Sequence, residues 1–172
     1  MHPLARLAQE AVVKYVLENK IIDPPACLDE DYCQKKSGVF VSIKQNGQLR
    51  GCIGTYLPTK ESIAQEVIAN AIEAAAEDPR FDPITKKDLP NLSYEVYVLE
   101  KLKPVKSLDE LDPKIFGVIV AGVKTRRQAL LLPGLEGIDT IEQQISCVCQ
   151  KAGIDPSQEK ISIFRFMARK FQ

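Results

Sequence analysis

Between Gly38 and Tyr56, two runs of β-prone residues flank Asn46-Gly47. That dipeptide constrains the fold more than any other feature, because it supplies the two consecutive positive-φ residues that a type I′ hairpin turn demands. With Asn46-Gly47 as a two-residue loop, Lys44 is expected opposite Leu49, Ile43 opposite Arg50 and Val41 opposite Cys52. This register places Arg50 and Cys52 on the face that carries Val39, Val41 and Ile43.

The remaining patterns extend the same architecture. Tyr94, Val96 and Val98 alternate with Glu95 and Tyr97 as in a strand, and a last strand is expected from Ile161 to Met167. Phe116–Ala121 and Gln128–Leu132 flank Gly122–Arg127, which predicts a second hairpin with a basic tip. Leu4, Leu7, Ala8, Ala11, Val12, Tyr15 and Val16 follow the spacing of an amphipathic helix over residues 3–19. Thr59 is expected to cap a second helix, with Ile63, Val67, Ile68, Ala71, Ile72 and Ala75 as its stripe and a stop near Asp78-Pro79. Thr140-x-x-Gln143 is a capping box and Gly153 fits a left-handed C-terminal cap. Residues 21–37, with Pro24 and Pro25, read as a surface connection. Consecutive hairpins favour antiparallel pairing, so the class is α+β, and 172 residues fit one domain or two small subdomains sharing a core.

Charge and cysteine content narrow the function classes. Lys plus Arg and Asp plus Glu both number 23, so no broad field draws the chain to nucleic acid or to an anionic membrane. Neutrality is an average, with −2 over residues 1–86 and +2 over 87–172. Arg6, Glu10, Lys14 and Glu18 interrupt any apolar leader or span, which points to a cytoplasmic protein without a membrane partner. Five cysteines, an odd number, suit free thiols in a reducing compartment, so Cys27, Cys33, Cys52, Cys147 and Cys149 are expected reduced. Their spacing argues against a metal, since Cys147 and Cys149 would point about 200° apart on a helix. No phosphate-binding loop, dinucleotide fingerprint or zinc-protease motif occurs, so no cofactor is expected.

Leu49-Arg50-Gly51-Cys52-Ile53-Gly54 is the most unusual segment, because glycines weaken a strand unless backbone must bend or another group comes close. Two readings stand. In one, Cys52 is a nucleophile beside the Arg50 guanidinium, and the N–H groups at Gly51 and Gly54 cradle an anion. In the other, Cys52 is a small buried hydrophobe and the glycines admit a helix. Arg80, after Asp78-Pro79, can grip a carboxylate or phosphate, or can close an internal Asp–Arg bond at a helix stop. Glu95 is either a solvated edge carboxylate or a partly buried partner for an arginine such as Arg50. Lys124, Arg126 and Arg127 can hold phosphate from the hairpin tip, or simply be solvated.

Leu49-Arg-Gly-Cys-Ile-Gly54, Asn70-Ala-Ile, Glu77-Asp-Pro-Arg-Phe81, Gly117-Val-Ile-Val120 and Leu131-Leu-Pro-Gly-Leu-Glu-Gly-Ile-Asp-Thr140 together resemble the AMMECR domain family over nearly the whole chain. Val123–Gln128 departs from the short glycine-bearing Arg-Arg turn that relatives often carry. The resemblance implies two interleaved subdomains beside nucleotide-, nucleic-acid- and peptide-binding sheets of the RAGNYA type. It also implies a three-part set with a MEMO-type metal-pocket protein and a radical S-adenosylmethionine protein, and so redox or radical-linked modification chemistry. Two functions follow. One is an enzyme or substrate-presenting subunit of that set, with Cys52 as reactive thiol, Arg50 and Arg80 as anchors for a small anionic ligand, and Glu95 as base or orienter. The other is a non-catalytic module that binds nucleotide, RNA or a protein through the sheet face or through Arg126 and Arg127.

Overall fold

The computed structural model describes residues 1–26 and 28–172; Cys27, one of the thiols expected to be free, lies outside the described residues. In chain order the elements are α1 (Pro3–Glu18), α2 (Glu30–Gln34), β1 (Val39–Gln45), β2 (Gln48–Thr55), α3 (Ile63–Ala76), β3 (Leu92–Leu99) and β4 (Lys103–Pro104). They continue with β5 (Gly117–Gly122), β6 (Gln128–Leu131), α4 (Ile141–Ala152), β7 (Ile161–Phe166) and β8 (Ala168–Phe171). Single 3-10 turns lie at Leu89–Asn91 and Leu108–Glu110. The strands form two four-stranded sheets, ordered β2-β1-β3-β8 and β4-β7-β5-β6. The pairs β1–β2, β1–β3, β4–β7, β5–β6 and β5–β7 are antiparallel, and the fold is α+β. Two units partition the chain, Met1–Leu99 with Arg169–Gln172, and Glu100–Ala168. Among the described residues no helix is long and apolar enough to cross a membrane.

In the first unit, Val39, Val41 and Ile43 of β1 pair with Val98, Val96 and Tyr94 of β3 and face a core shared with Leu4, Leu7 and Ala11 of α1 and Val67 and Ala71 of α3. His2 caps α1, its Nδ1 accepting the Leu4 N–H at 3.2 Å. The connection expected over residues 21–37 contains the short helix α2, which carries an exposed Cys33. Ser62, not Thr59, caps α3, accepting the Gln65 N–H at 3.2 Å. Thr59 serves the same helix differently. Its N–H and hydroxyl, the Lys60 N–H and the Thr55 hydroxyl all donate to the buried Glu66 carboxylate at 2.7–2.8 Å. Burial pushes the Glu66 acid up, but these donors outweigh it and hold the carboxyl below its usual range.

The second unit has its own core of Val118, Val120, Leu131, Val148, Cys149 and Ile154. Its hairpin β5–β6 and the Thr140 capping box of α4 form as the pattern predicts, and Gly153 closes α4 at φ 64°. The final strand expected from Ile161 stops at Phe166, and a separate strand, β8, joins the first sheet.

The first hairpin turns as expected, with Asn46 and Gly47 at φ 52° and 83° and Lys44 opposite Leu49. Beyond that pair the register departs from the simple ladder. Ile43 faces Gly51, Ser42 faces Cys52 and Val41 faces Ile53, so Arg50 is the extra residue of a β-bulge. An unbulged ladder would aim the Arg50 guanidinium at the apolar face beneath Ile43, where an unpaired charge is costly. The bulge puts Gly51 there instead. A Cβ on Gly51 would stand 2.1 Å from the Ala74 carbonyl oxygen, so this glycine lets α3 lie directly against β2. Gly51→Ala is therefore expected to lower stability by roughly 2–4 kcal/mol, because neither partner in the clash is a flexible side chain. Urea unfolding measures this, and an unchanged midpoint would show that strand and helix can part at that point.

Candidate functional site

The bulge decides which residues meet around Cys52. Because side chains alternate along a strand, a one-residue slip moves every later residue of β2 to the other face. Cys52 consequently leaves the Val39, Val41 and Ile43 face predicted for it and joins Ser42, Lys44, Glu95 and Tyr97 on the polar face of the first sheet. The Ser42 hydroxyl lies 3.1 Å from the half-buried Cys52 sulfur and donates to it. Ser42 is also opposite Glu95 on its other side, so thiol, hydroxyl and carboxylate form one row across β2, β1 and β3.

Glu95 is neither an edge carboxylate nor an arginine's partner. It sits on an interior strand at 7% exposure, and Lys170 Nζ, Lys44 Nζ and Tyr97 Oη reach its oxygens at 2.7, 2.9 and 3.0 Å. Burial raises its pKa, yet the donors from Lys170, Lys44 and Tyr97 bring it below the usual range. A carboxylate saturated in this way suits an orienter better than a proton acceptor near neutral pH. The Tyr97 phenol moves the opposite way, pushed up by burial first and then by Glu95 and Cys52. Two ammonium groups against one carboxylate leave this patch with a surplus positive charge.

β2 is an edge strand, and Asp78 with Arg80 closes that edge at Cys52. The Cys52 N–H donates to Asp78 Oδ2 at 2.8 Å, and Arg80 Nη2 donates to the Cys52 carbonyl at 3.2 Å. Arg80 grips the same carboxylate as a fork, Nε to Oδ1 at 2.9 Å and Nη2 to Oδ2 at 2.7 Å. The internal Asp–Arg bond anticipated at the helix stop thus also reaches across to the strand, leaving Nη1 outside the fork. The Arg80 hydrogen bond is the main cause that holds buried Asp78 down at about 2.

The other expected site residues fall elsewhere. Arg50 turns to the Pro83 carbonyl, 3.4 Å from Nη2, and not to the thiol. A Cβ on Gly54 would meet the Phe40 ring at 2.3 Å, so this glycine makes room for an aromatic side chain. Arg126 and Arg127 belong to the second unit, where Arg127 Nη1 donates to the Gly153 carbonyl at 2.8 Å. Nothing in the sequence pattern marks Ser42, Lys44, Tyr97 or Lys170 as site residues. A bulge hid Ser42, and nothing local marks residues 168–171 as the strand beside β3. Among the described residues no three His, Cys, Asp or Glu side chains gather as a metal-ligand set.

Similarity to known proteins covers both units. The AMMECR1 family profile matches residues 5–171. A Thermotoga maritima protein is 42% identical, with 99% of this chain and 98% of the relative aligned. A Clostridium acetobutylicum protein is also 42% identical, but its match covers 98% of this chain and only 35% of the relative. The crystal structure of the uncharacterized protein PH0010 from Pyrococcus horikoshii superposes with a TM-score of 0.87 at 30% identity, covering 97% of this chain and 88% of that one.

The Asp78 clamp has a defined pH signature. Its folded pKa of about 2 lies below the ordinary 3.8, so its contribution is fully present above the unfolded value and is lost as pH falls through the folded one. Asp78→Asn is expected to cost roughly 2 kcal/mol at neutral pH, with the gap from the unaltered chain closing as pH drops from about 4 toward 2. Denaturant titrations across that range test it; a gap independent of pH would assign the loss to something other than the charge.

Proposed function

Because this chain belongs to the AMMECR1 family, whose profile spans residues 5–171, we propose that it is a thiol-bearing enzyme or substrate-presenting component that works with MEMO-type and radical S-adenosylmethionine proteins. Its active or ligand site is the polar sheet face around Leu49–Gly54. The main support is the bulge at Arg50, which turns a half-buried Cys52 away from the core and sets it beside the Ser42 hydroxyl. In this reading Cys52 is the reacting or ligand-binding thiol and Glu95 orients Lys44 and Lys170. Those two ammonium groups, together with Arg80 Nη1, draw a small anionic ligand. Gly51 and Gly54 shape the strand by packing, and Arg50 sets its register.

Among the other described thiols, two lie in or against the core of the second unit. Cys149 is buried in the core of the second unit, and burial pushes its thiol pKa up. Cys147 neighbours the same core, and Cys33 sits on an exposed short helix. A working partnership with other proteins draws support from the clostridial relative, in which the matched region is 35% of a longer chain.

Iodoacetamide labelling of the native chain, followed by peptide mass spectrometry, tests the proposal. Cys52 should alkylate at least about tenfold faster than Cys149, as a partly exposed thiol does beside a desolvated one. An anion added at millimolar concentration should slow Cys52 and leave Cys33 unchanged. A Cys52 as inert as Cys149 would overturn the assignment.

A further inference from the structure

The tip of the β5–β6 hairpin in the second unit already holds an anion, and the anion is part of the chain. Lys124 N–H and Thr125 N–H both donate to Glu159 Oε2 at 3.0 Å, and the Thr125 hydroxyl donates to Oε1 at 2.8 Å. The turn is tied shut beneath the carboxylate by Gly122 N–H to the Arg127 carbonyl at 2.9 Å and by Arg126 N–H to the Gly122 carbonyl at 3.0 Å. The Val123 N–H donates to the Lys160 carbonyl at 3.0 Å, which fixes the bend before β7 against the tip. Gly122 completes the cradle, since a Cβ there would stand 2.6 Å from Thr125 Oγ1 and 2.7 Å from Glu159 Oε2.

We propose that this tip is a binding site for a phosphate group, and that Glu159 occupies it as an internal stand-in. The donor set of two main-chain N–H groups and a hydroxyl is what phosphate oxygens accept from in backbone nests. Charge selects phosphate over a second carboxylate. Lys124, Arg126, Arg127 and Lys160 carry four positive charges on the tip and beside Glu159, against the negative charges of Glu159 and of Asp155, whose carbonyl accepts the Glu159 N–H. Glu159 therefore fills the hydrogen bonds but leaves a positive surplus, whereas a dianion with three terminal oxygens answers both. Glu159 is only half-buried and can leave by rotating its own side chain. This site is independent of the Cys52 face and survives if that assignment fails.

Backbone amide NMR on the whole chain at low ionic strength, titrated with inorganic phosphate and separately with adenosine monophosphate, provides the test. In Glu159→Ala, phosphate should shift the Lys124 and Thr125 amides with an apparent affinity at least about tenfold tighter than in the unaltered chain, because a tethered carboxylate competes at millimolar or higher effective concentration. Adding Thr125→Val and Arg127→Ala should abolish that gain. Equal response to both ligands assigns the site to the phosphate group itself, and a stronger response to the monophosphate assigns it to a phosphate ester. Glu159→Gln keeps the side-chain volume without the charge and should also bind more tightly than the unaltered chain. Equal affinity in all these chains, or amide shifts centred away from residues 122–127, would overturn the proposal.

Discussion

An arginine that cannot face the core determines how the first unit is built. β2 enters from a turn whose geometry is set by Asn46 and Gly47, and the ladder closest to the turn is regular. Continued one residue further, it would direct Arg50 into the layer between the sheet and α3. Ejecting Arg50 as a bulge loses one ladder position and avoids burying a guanidinium without a partner. The same slip supplies Gly51 to the helix contact, where only a residue without Cβ fits against the Ala74 carbonyl. It also carries Cys52 to the polar face, and its N–H meets the Asp78 carboxylate at the open edge of the sheet. Register, helix packing and thiol environment are therefore consequences of one local constraint.

Three buried carboxylates of that unit illustrate how the surroundings decide what an acid does. Glu66 is satisfied by hydroxyl and main-chain donors and fastens the loop before α3 to the helix. Asp78 takes a forked arginine and a strand N–H, so a single ion locks loop to edge strand. Glu95 takes two lysines that approach from β1 and β8 and thereby joins strands distant in sequence. In each case the donors outweigh the cost of burial, and the group stays ionised. Only at Glu95 do the partners bring surplus positive charge.

Local signals were legible where a few adjacent residues determine geometry. Asn46-Gly47, the Thr140 capping box and Gly153 each form as their chemistry demands, and the α+β class follows from the two hairpins. Thr59 misled because a good capping residue three positions before Ser62 found a stronger use on Glu66. The simple ladder puts Cys52 on the wrong face because a bulge depends on what lies across the sheet, here α3, and not on the strand alone. Lys170 was invisible for the same reason. A lysine near the end of the chain acquires meaning only when β8 is laid beside β3.

The glycines around Cys52 invite a ligand as their explanation, and packing removes that invitation. Gly51 is required by Ala74 and Gly54 by the Phe40 ring, so neither implies an oxyanion cradle. What remains in favour of the thiol is more specific than the motif. The thiol lies on the polar face, in a row shared with the Ser42 hydroxyl and the doubly paired Glu95 carboxylate. The second unit shows the complementary arrangement, in which main-chain N–H groups do converge on an anion but the chain supplies it from Glu159. Convergent main-chain donors and the half-buried thiol of the polar sheet face are thus found in different units.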